Sequence, residues 1–157
     1  DLVTAIDVLY HLVEEHACRT ALANLAARVR PGGFLLISDV FVEADRQIAP
    51  HVKRRSLATY RDALGPEMAP AGREPVFSIL ADVTPRSGRD LAGHLQLAAW
   101  RLLAKTLSSM PEPARDAAGG AAVAMLRPLD ALFRRMGLAR GVNLELALFR
   151  RRPPCAE

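Results

Sequence analysis

Cysteine is nearly missing from this 157-residue chain: only Cys18 and Cys155 occur, and neither has the paired spacing of a metal site or a disulfide framework. That argues against a stapled secreted scaffold and makes a reducing cytoplasm the expected compartment. His16, His51 and His94 are as widely scattered, so no metal is expected. Aromatic residues make up only 5%, and none interleaves with basic residues in the manner of a nucleic-acid reader. The formal net charge of +4 is therefore not read as a nucleic-acid footprint. Its local clusters, Lys53-Arg54-Arg55, Arg134-Arg135 and Arg150-Arg151-Arg152, are expected to be mostly solvated, the first with some chance of steering an anionic substrate. Long apolar runs are lacking too. None approaches the roughly 20 residues that cross a bilayer, and no basic-then-apolar segment opens the sequence, so no membrane is expected.

What is present is globular composition, 50% hydrophobic and 24% charged, at a length suited to one domain. Residues 2–9, "LVTAIDVL", are apolar almost throughout without alternation, the pattern of a strand covered on both faces in a parallel sheet. Cys18, Ala21, Leu22, Leu25 and Val29 then recur at helical spacing, with Glu14 and Glu15 at the end that favours carboxylates and Arg28 and Arg30 at the other. Pro31-Gly32-Gly33 stops that helix, and "FLLIS" forms a second apolar strand ending at Asp39. Strand, helix and strand make a βαβ unit with a right-handed crossover.

Beyond it, 41–55 read as a loop, and Ser56 caps a short helix to Leu64. Gly65 to Pro75 is expected to turn, and "VFSIL" at 76–80 to form a third strand. Helical spacing returns over 91–107 and over 126–136, separated by a break at Pro111, Pro113 and Gly119-Gly120, with Pro128 starting or kinking the second helix. "NLELALF" at 143–149 reads as a last strand nearer an edge, and 151–157 as a flexible tail.

Three stretches in this order resemble the C-terminal half of the class I S-adenosylmethionine-dependent methyltransferases. "DLVTAIDVLYHL" resembles the family's fourth strand and the segment after it. "ALANLAARVRPGGFLLISD" resembles its next helix, turn and fifth strand. "SLATYRDAL", "PVFSILA" and "NLELALFRR" follow in family order. The resemblance is good over 1–40 and weaker over 51–81 and 143–150. It implies an α/β fold: part of a Rossmann-like sheet, strands four to seven, with the last strand antiparallel beside strands five and six. Residues 1–150 would be the C-terminal part of the domain, and a helical insertion at about 88–140 would precede the last strand. The family's glycine-rich cofactor turn and the acidic residue after its second strand have no match: the Gly32-Gly33 pair follows a helix, not a strand. The sequence opens inside an apolar run, so the expectation is that an N-terminal half is missing and that this chain alone binds S-adenosylmethionine weakly or not at all.

Open α/β sheets hold ligands outside the carboxyl ends of their strands, here Asp7 to Leu12 and Asp39 to Val42. By the resemblance, Ala5, Ile6 and Asp7 form the segment whose backbone touches the cofactor, S-adenosylmethionine. Ala5 and Ile6 serve equally as sheet core. Asp7, in an apolar run, is either a structural hydrogen bonder or a site residue. Tyr10, His11 and Asp39 are the candidates for binding a small-molecule acceptor, with His11 also the candidate general base. The bland readings stay beside these: ordinary packing for Tyr10, a helix cap or packing for His11, a turn cap for Asp39. Methyl transfer to a small molecule is the expected function. The alternative is a methyltransferase-like binding module without catalysis, and a nicotinamide-dependent Rossmann fragment fits the end strand and "LYHL" poorly.

Overall fold

The computed structural model describes residues 1–77, 85, 89–136 and 143–153, apart from the side chain of Ala92. The chain forms two compact units, one of residues 1–74 with 144–157 and one of residues 75–143. The first is α/β, with a mixed four-stranded sheet.

The opening apolar run makes β1, Leu2–Ile6. It is shorter than expected because Asp7 takes a φ of 53°, a left-handed conformation that ends extension and that Asp tolerates better than most residues. A 3-10 turn, Leu9–His11, follows, then helix α1, Glu15–Arg28. Glu15 lies in its first turn and Arg28 in its last, both favourable to the helix dipole. The Arg151 guanidinium donates to the carbonyls of Ala26, Ala27 and Val29 at 3.4, 3.4 and 2.7 Å, satisfying acceptors that a helix end leaves open. Gly32 then needs its φ of 78°, and a Cβ at Gly33 would sit 3.0 Å from the Arg30 carbonyl, so both positions of the turn favour glycine.

Strand β2, Phe34–Asp39, pairs parallel with β1, and β6, Glu145–Arg151, pairs antiparallel with β2. The sheet order is β1-β2-β6-β5, where β5 is Met68–Pro75. Register puts Ala5, Ile37 and Ala147 in one row, and Val3, Leu35 and Phe149 in the next. That face is buried with Cys18 and Leu22 of α1 and with Tyr60 and Leu64 of helix α2, Leu57–Leu64. Each large apolar side chain fully buried there stabilises the unit by roughly 1.5–3 kcal/mol. Ser56 caps α2 through its side chain, which accepts from the Thr59 amide at 3.1 Å, as the sequence predicts.

Several expectations need correction. Among the described residues β1 is covered on one face only and lies at the edge of the sheet, with Leu2 and Ile6 exposed. Residues 41–55 are not a loop but carry a hairpin, β3 (Arg46–Ala49) with β4 (Val52–Arg54). This polar ribbon has no apolar alternation to betray it. Gly65 to Pro75 is mostly strand β5, not turn; it lies at the sheet edge, where Pro70 and Gly72 are tolerated. Val76 and Phe77 are outside any strand, and 78–80 lie outside the described residues. β6 is not near an edge but sits between β2 and β5. The 151–157 tail is anchored at its start, since Arg151 belongs to β6 and the Arg152 amide donates to the Glu67 carbonyl at 2.8 Å. Residues 154–157, Cys155 among them, lie outside the described residues.

The second unit contains α3, Leu91–Ser108, and α4, Glu112–Arg135. Asp90 caps α3, its carboxylate accepting from the Gly93 amide at 2.9 Å. The break expected at Gly119-Gly120 does not occur: the pair lies inside α4, flanked by alanines whose strong helix propensity offsets a glycine cost of about 1 kcal/mol each. Pro128 is also interior to α4. Leu91, Leu95 and Leu102 of α3 and Met125, Leu129, Leu132 and Met136 at the end of α4 remain exposed.

Candidate functional site

The parallel pair β1 and β2 ends at Ile6 and Asp39, and the chain leaving each end builds one cluster. From β1 come Asp7, Tyr10 and His11; from β2, Ser38 and Asp39. The hairpin adds His51, Lys53 and Arg54, and α2 adds Tyr60.

Asp7 is exposed rather than buried, which removes the cost that made it conspicuous in sequence. Its amide donates to Ser38 Oγ at 2.9 Å, and Ser38 Oγ donates to Asp7 Oδ1 at 3.0 Å. This reciprocal pair ties the ends of the two strands together and holds the left-handed backbone of Asp7. Ala5 is buried in the core, whereas Ile6 is exposed.

Asp39 is fully buried. Its Oδ1 accepts from the Val40 amide at 2.6 Å and from Arg54 Nη1 at 2.8 Å, while Oδ2 accepts from the Tyr60 hydroxyl. Burial pushes its pKa up, and the bonds from Tyr60, Val40 and Arg54 oppose the rise without cancelling it. Burial, then the neighbouring carboxylate, drives the Tyr60 hydroxyl upward as well, so Tyr60 holds its proton and donates. Both oxygens of Asp39 are engaged, so this carboxylate shapes the site through Arg54 and Tyr60 rather than by touching a ligand.

Arg54 carries that influence outward. Its guanidinium carbon lies 4.3 Å from the Tyr10 ring centroid, a cation–π contact. Tyr10 is half-buried, and its ring centroid is 4.2 Å from that of His11. His11 is exposed, and its Nδ1 lies 3.1 Å from the His51 carbonyl at the tip of the hairpin. Thus Tyr10, His11 and Asp39 are brought together, with Arg54 as the link. Histidine capping of a following helix is not seen at His11.

The triplet Lys53-Arg54-Arg55 is not a solvated face. Arg55 is fully buried; it pairs with Glu15 at 3.3 Å and donates to the carbonyls of Leu12 and Val13 at 2.7 and 3.2 Å. Lys53 pairs with the same Glu15 carboxylate at 3.0 Å. Lys53 and Arg55 together hold Glu15 below the usual carboxylate range. These bonds stitch the hairpin to the segment that carries Tyr10 and His11. Among the described residues, Arg55 Nη1 is buried without a hydrogen-bond partner.

Sequence reading missed Arg54, Tyr60, His51 and the clamp through Arg55. Tyr60 falls on one side of its helix with Leu57 and Leu64, a spacing that carries no sign of its bond to Asp39. The basic triplet had no apolar periodicity from which burial follows, since ion pairing across 38 to 40 residues is what makes it possible.

A cleft of about 600 Å³ lies elsewhere, between the end of α2 and the strand β5. Arg61, Asp62, Met68 and Arg152 line it. None of the predicted site residues reaches it.

Among the described residues no group of three or more His, Cys, Asp or Glu is placed to hold a metal ion, and no helix is long and apolar enough to cross a membrane. No protein-family model matches the chain, and no curated protein is similar enough to match it.

Proposed function

We propose that this chain supplies part of the site of an enzyme that transfers a methyl group from S-adenosylmethionine to a small-molecule acceptor. The observation that carries the reading is the cluster at the carboxyl ends of the parallel strands, where Asp7, Tyr10, His11 and Asp39 come together through Ser38 and Arg54. That end of a parallel sheet is where α/β folds hold their ligands. The order β1-β2-β6-β5, with β6 antiparallel, supports it, since the resembling family places its last strand beside strands five and six.

S-adenosylmethionine would supply an electrophilic methyl group; the residues on this chain bind, orient and manage a proton. The backbone of Ala5, Ile6 and Asp7 would line the cofactor, and the bond between Asp7 and Ser38 would hold that segment in shape. Tyr10 offers an aromatic surface for the acceptor, stiffened by Arg54 above it. His11, exposed beside Tyr10, takes the acceptor's proton. Little else is needed, because holding two reactants in line accounts for much of the acceleration of such displacements.

Irradiating the chain with a photoreactive S-adenosylmethionine analogue at millimolar concentration, which loads the weak site expected of this chain alone, tests this. Label within residues 1–19, competed away by S-adenosylhomocysteine, is expected. Label that is spread over the chain, or that survives competition, contradicts the reading and favours a binding module without the cofactor.

A further inference from the structure

The His51 carbonyl oxygen, 3.1 Å from His11 Nδ1, can only accept a hydrogen bond, so the contact places a proton on Nδ1. The neutral ring then has its lone pair on Nε2. The hairpin that presents this carbonyl is fastened from outside the site. Lys53 pairs with Glu15 at 3.0 Å, and Arg55, which follows the hairpin, donates to the Leu12 and Val13 carbonyls just beyond His11. The His51 ring lies 6.0 Å from that of His11, with 14° between their planes.

We propose that the β3–β4 hairpin fixes the tautomer of His11, and thereby the class of acceptor: a molecule whose reacting O–H or N–H gives up its proton. The proposal rests on the methyl-transfer reading for the reaction and on the hairpin geometry for the tautomer. In the step it describes, the acceptor's lone pair forms the bond to the methyl carbon. The carbon–sulfur bond breaks with its electron pair left on sulfur. The acceptor proton passes to His11 Nε2, so the positive charge of the sulfonium reappears on the imidazolium. A tertiary amine or a thioether has no proton to give, and Nε2 does nothing for it. His51 acts in this scheme as a positioning residue through its backbone.

Nitrogen-15 spectra of the histidine rings of the whole chain, recorded without cofactor on the neutral imidazoles, read the tautomer directly. An imidazole free in water favours the proton on Nε2, so a majority of Nδ1–H at His11 reports the carbonyl contact. Replacing residues 47–52 by two glycines is expected to return the ring to the Nε2–H form, whereas His51→Gly, which keeps the carbonyl, leaves it unchanged. Phenol as a probe is expected to shift the Nε2 resonance, and anisole, which lacks the proton, to leave it in place. An Nε2–H majority in the unaltered chain, a tautomer indifferent to loss of the hairpin, or equal shifts with phenol and anisole would each overturn the proposal. None of these readings needs the cofactor, so failure here is distinct from failure of the photolabelling.

Discussion

Arg54 stacks over the ring of Tyr10, 4.3 Å from its centroid, while its Nη1 holds the buried Asp39 carboxylate at 2.8 Å. One side chain from a polar hairpin therefore couples the end of a core strand to the surface where a ligand would sit. Arg54→Met keeps most of the stem but strands a buried carboxylate. A loss of about 2 kcal/mol is expected, less than the ~3–5 kcal/mol that breaking a fully buried pair costs, because Arg54 itself is partly exposed. Urea unfolding of the two chains measures it, and Tyr10 fluorescence should change with it.

Tyr60→Phe removes one donor to Asp39 and leaves the ring packing against Phe41 intact, where the two rings meet edge to face at 5.3 Å. Losing that bond is expected to cost about 1–2 kcal/mol and to raise the Asp39 pKa further, since the donor stabilises the charged form. Thermal unfolding, with carbonyl-carbon NMR titration of Asp39, reads both effects.

Arg55→Met is expected to be the most damaging single change in the clamp. It leaves the Leu12 and Val13 carbonyls without their donor and cuts one of the ties to Glu15. The expected loss is about 3 kcal/mol. Hydrogen exchange should show faster opening of Leu9–His11 and of β4 together, because Arg55 joins them.

Glu15 and Asp45 set an acid limit. Lys53 and Arg55 hold Glu15 below its ordinary 4.5. For Asp45, burial pushes upward but is outweighed by the Ser56 amide and the Thr59 hydroxyl, leaving it below its ordinary 3.8. A depressed folded pKa means the folded state binds fewer protons, so the stability is present above the unfolded pKa and lost as pH falls through the folded one. Asp39, raised by burial, has the opposite sign: its share is present below the unfolded pKa and is lost as pH rises through the folded value. The melting temperature should therefore fall as pH drops below 4.5, the ordinary carboxylate value of Glu15. Glu15→Gln and Asp45→Asn should each flatten that fall.

Legibility followed apolar periodicity. β1, α1, the glycine turn and β2 could be read because a continuous apolar run, a helical stripe and a Pro-Gly-Gly stop each have one common structural meaning. Ser56 announced α2 through capping chemistry. The hairpin and β5 were hidden for different reasons: one mixes polar and apolar residues without alternation, the other carries Pro70 and Gly72 yet survives at an edge. Tyr10, His11 and Asp39 stand out in sequence by their position at strand ends, and the structure brings them together. Arg54 and Arg55 were not, because their burial depends on Asp39 and Glu15, which lie 15 and 40 residues away along the chain.

The most direct measurement is a titration of the nitrogen-15-labelled chain with S-adenosylhomocysteine, followed by amide shifts. The cluster at the strand ends should respond, with changes concentrated at Ala5 to His11 and at Ser38 to Val40. Amides that stay unmoved there at millimolar ligand, or changes confined to the cleft beside Arg61 and Arg152, would contradict the assignment of the site.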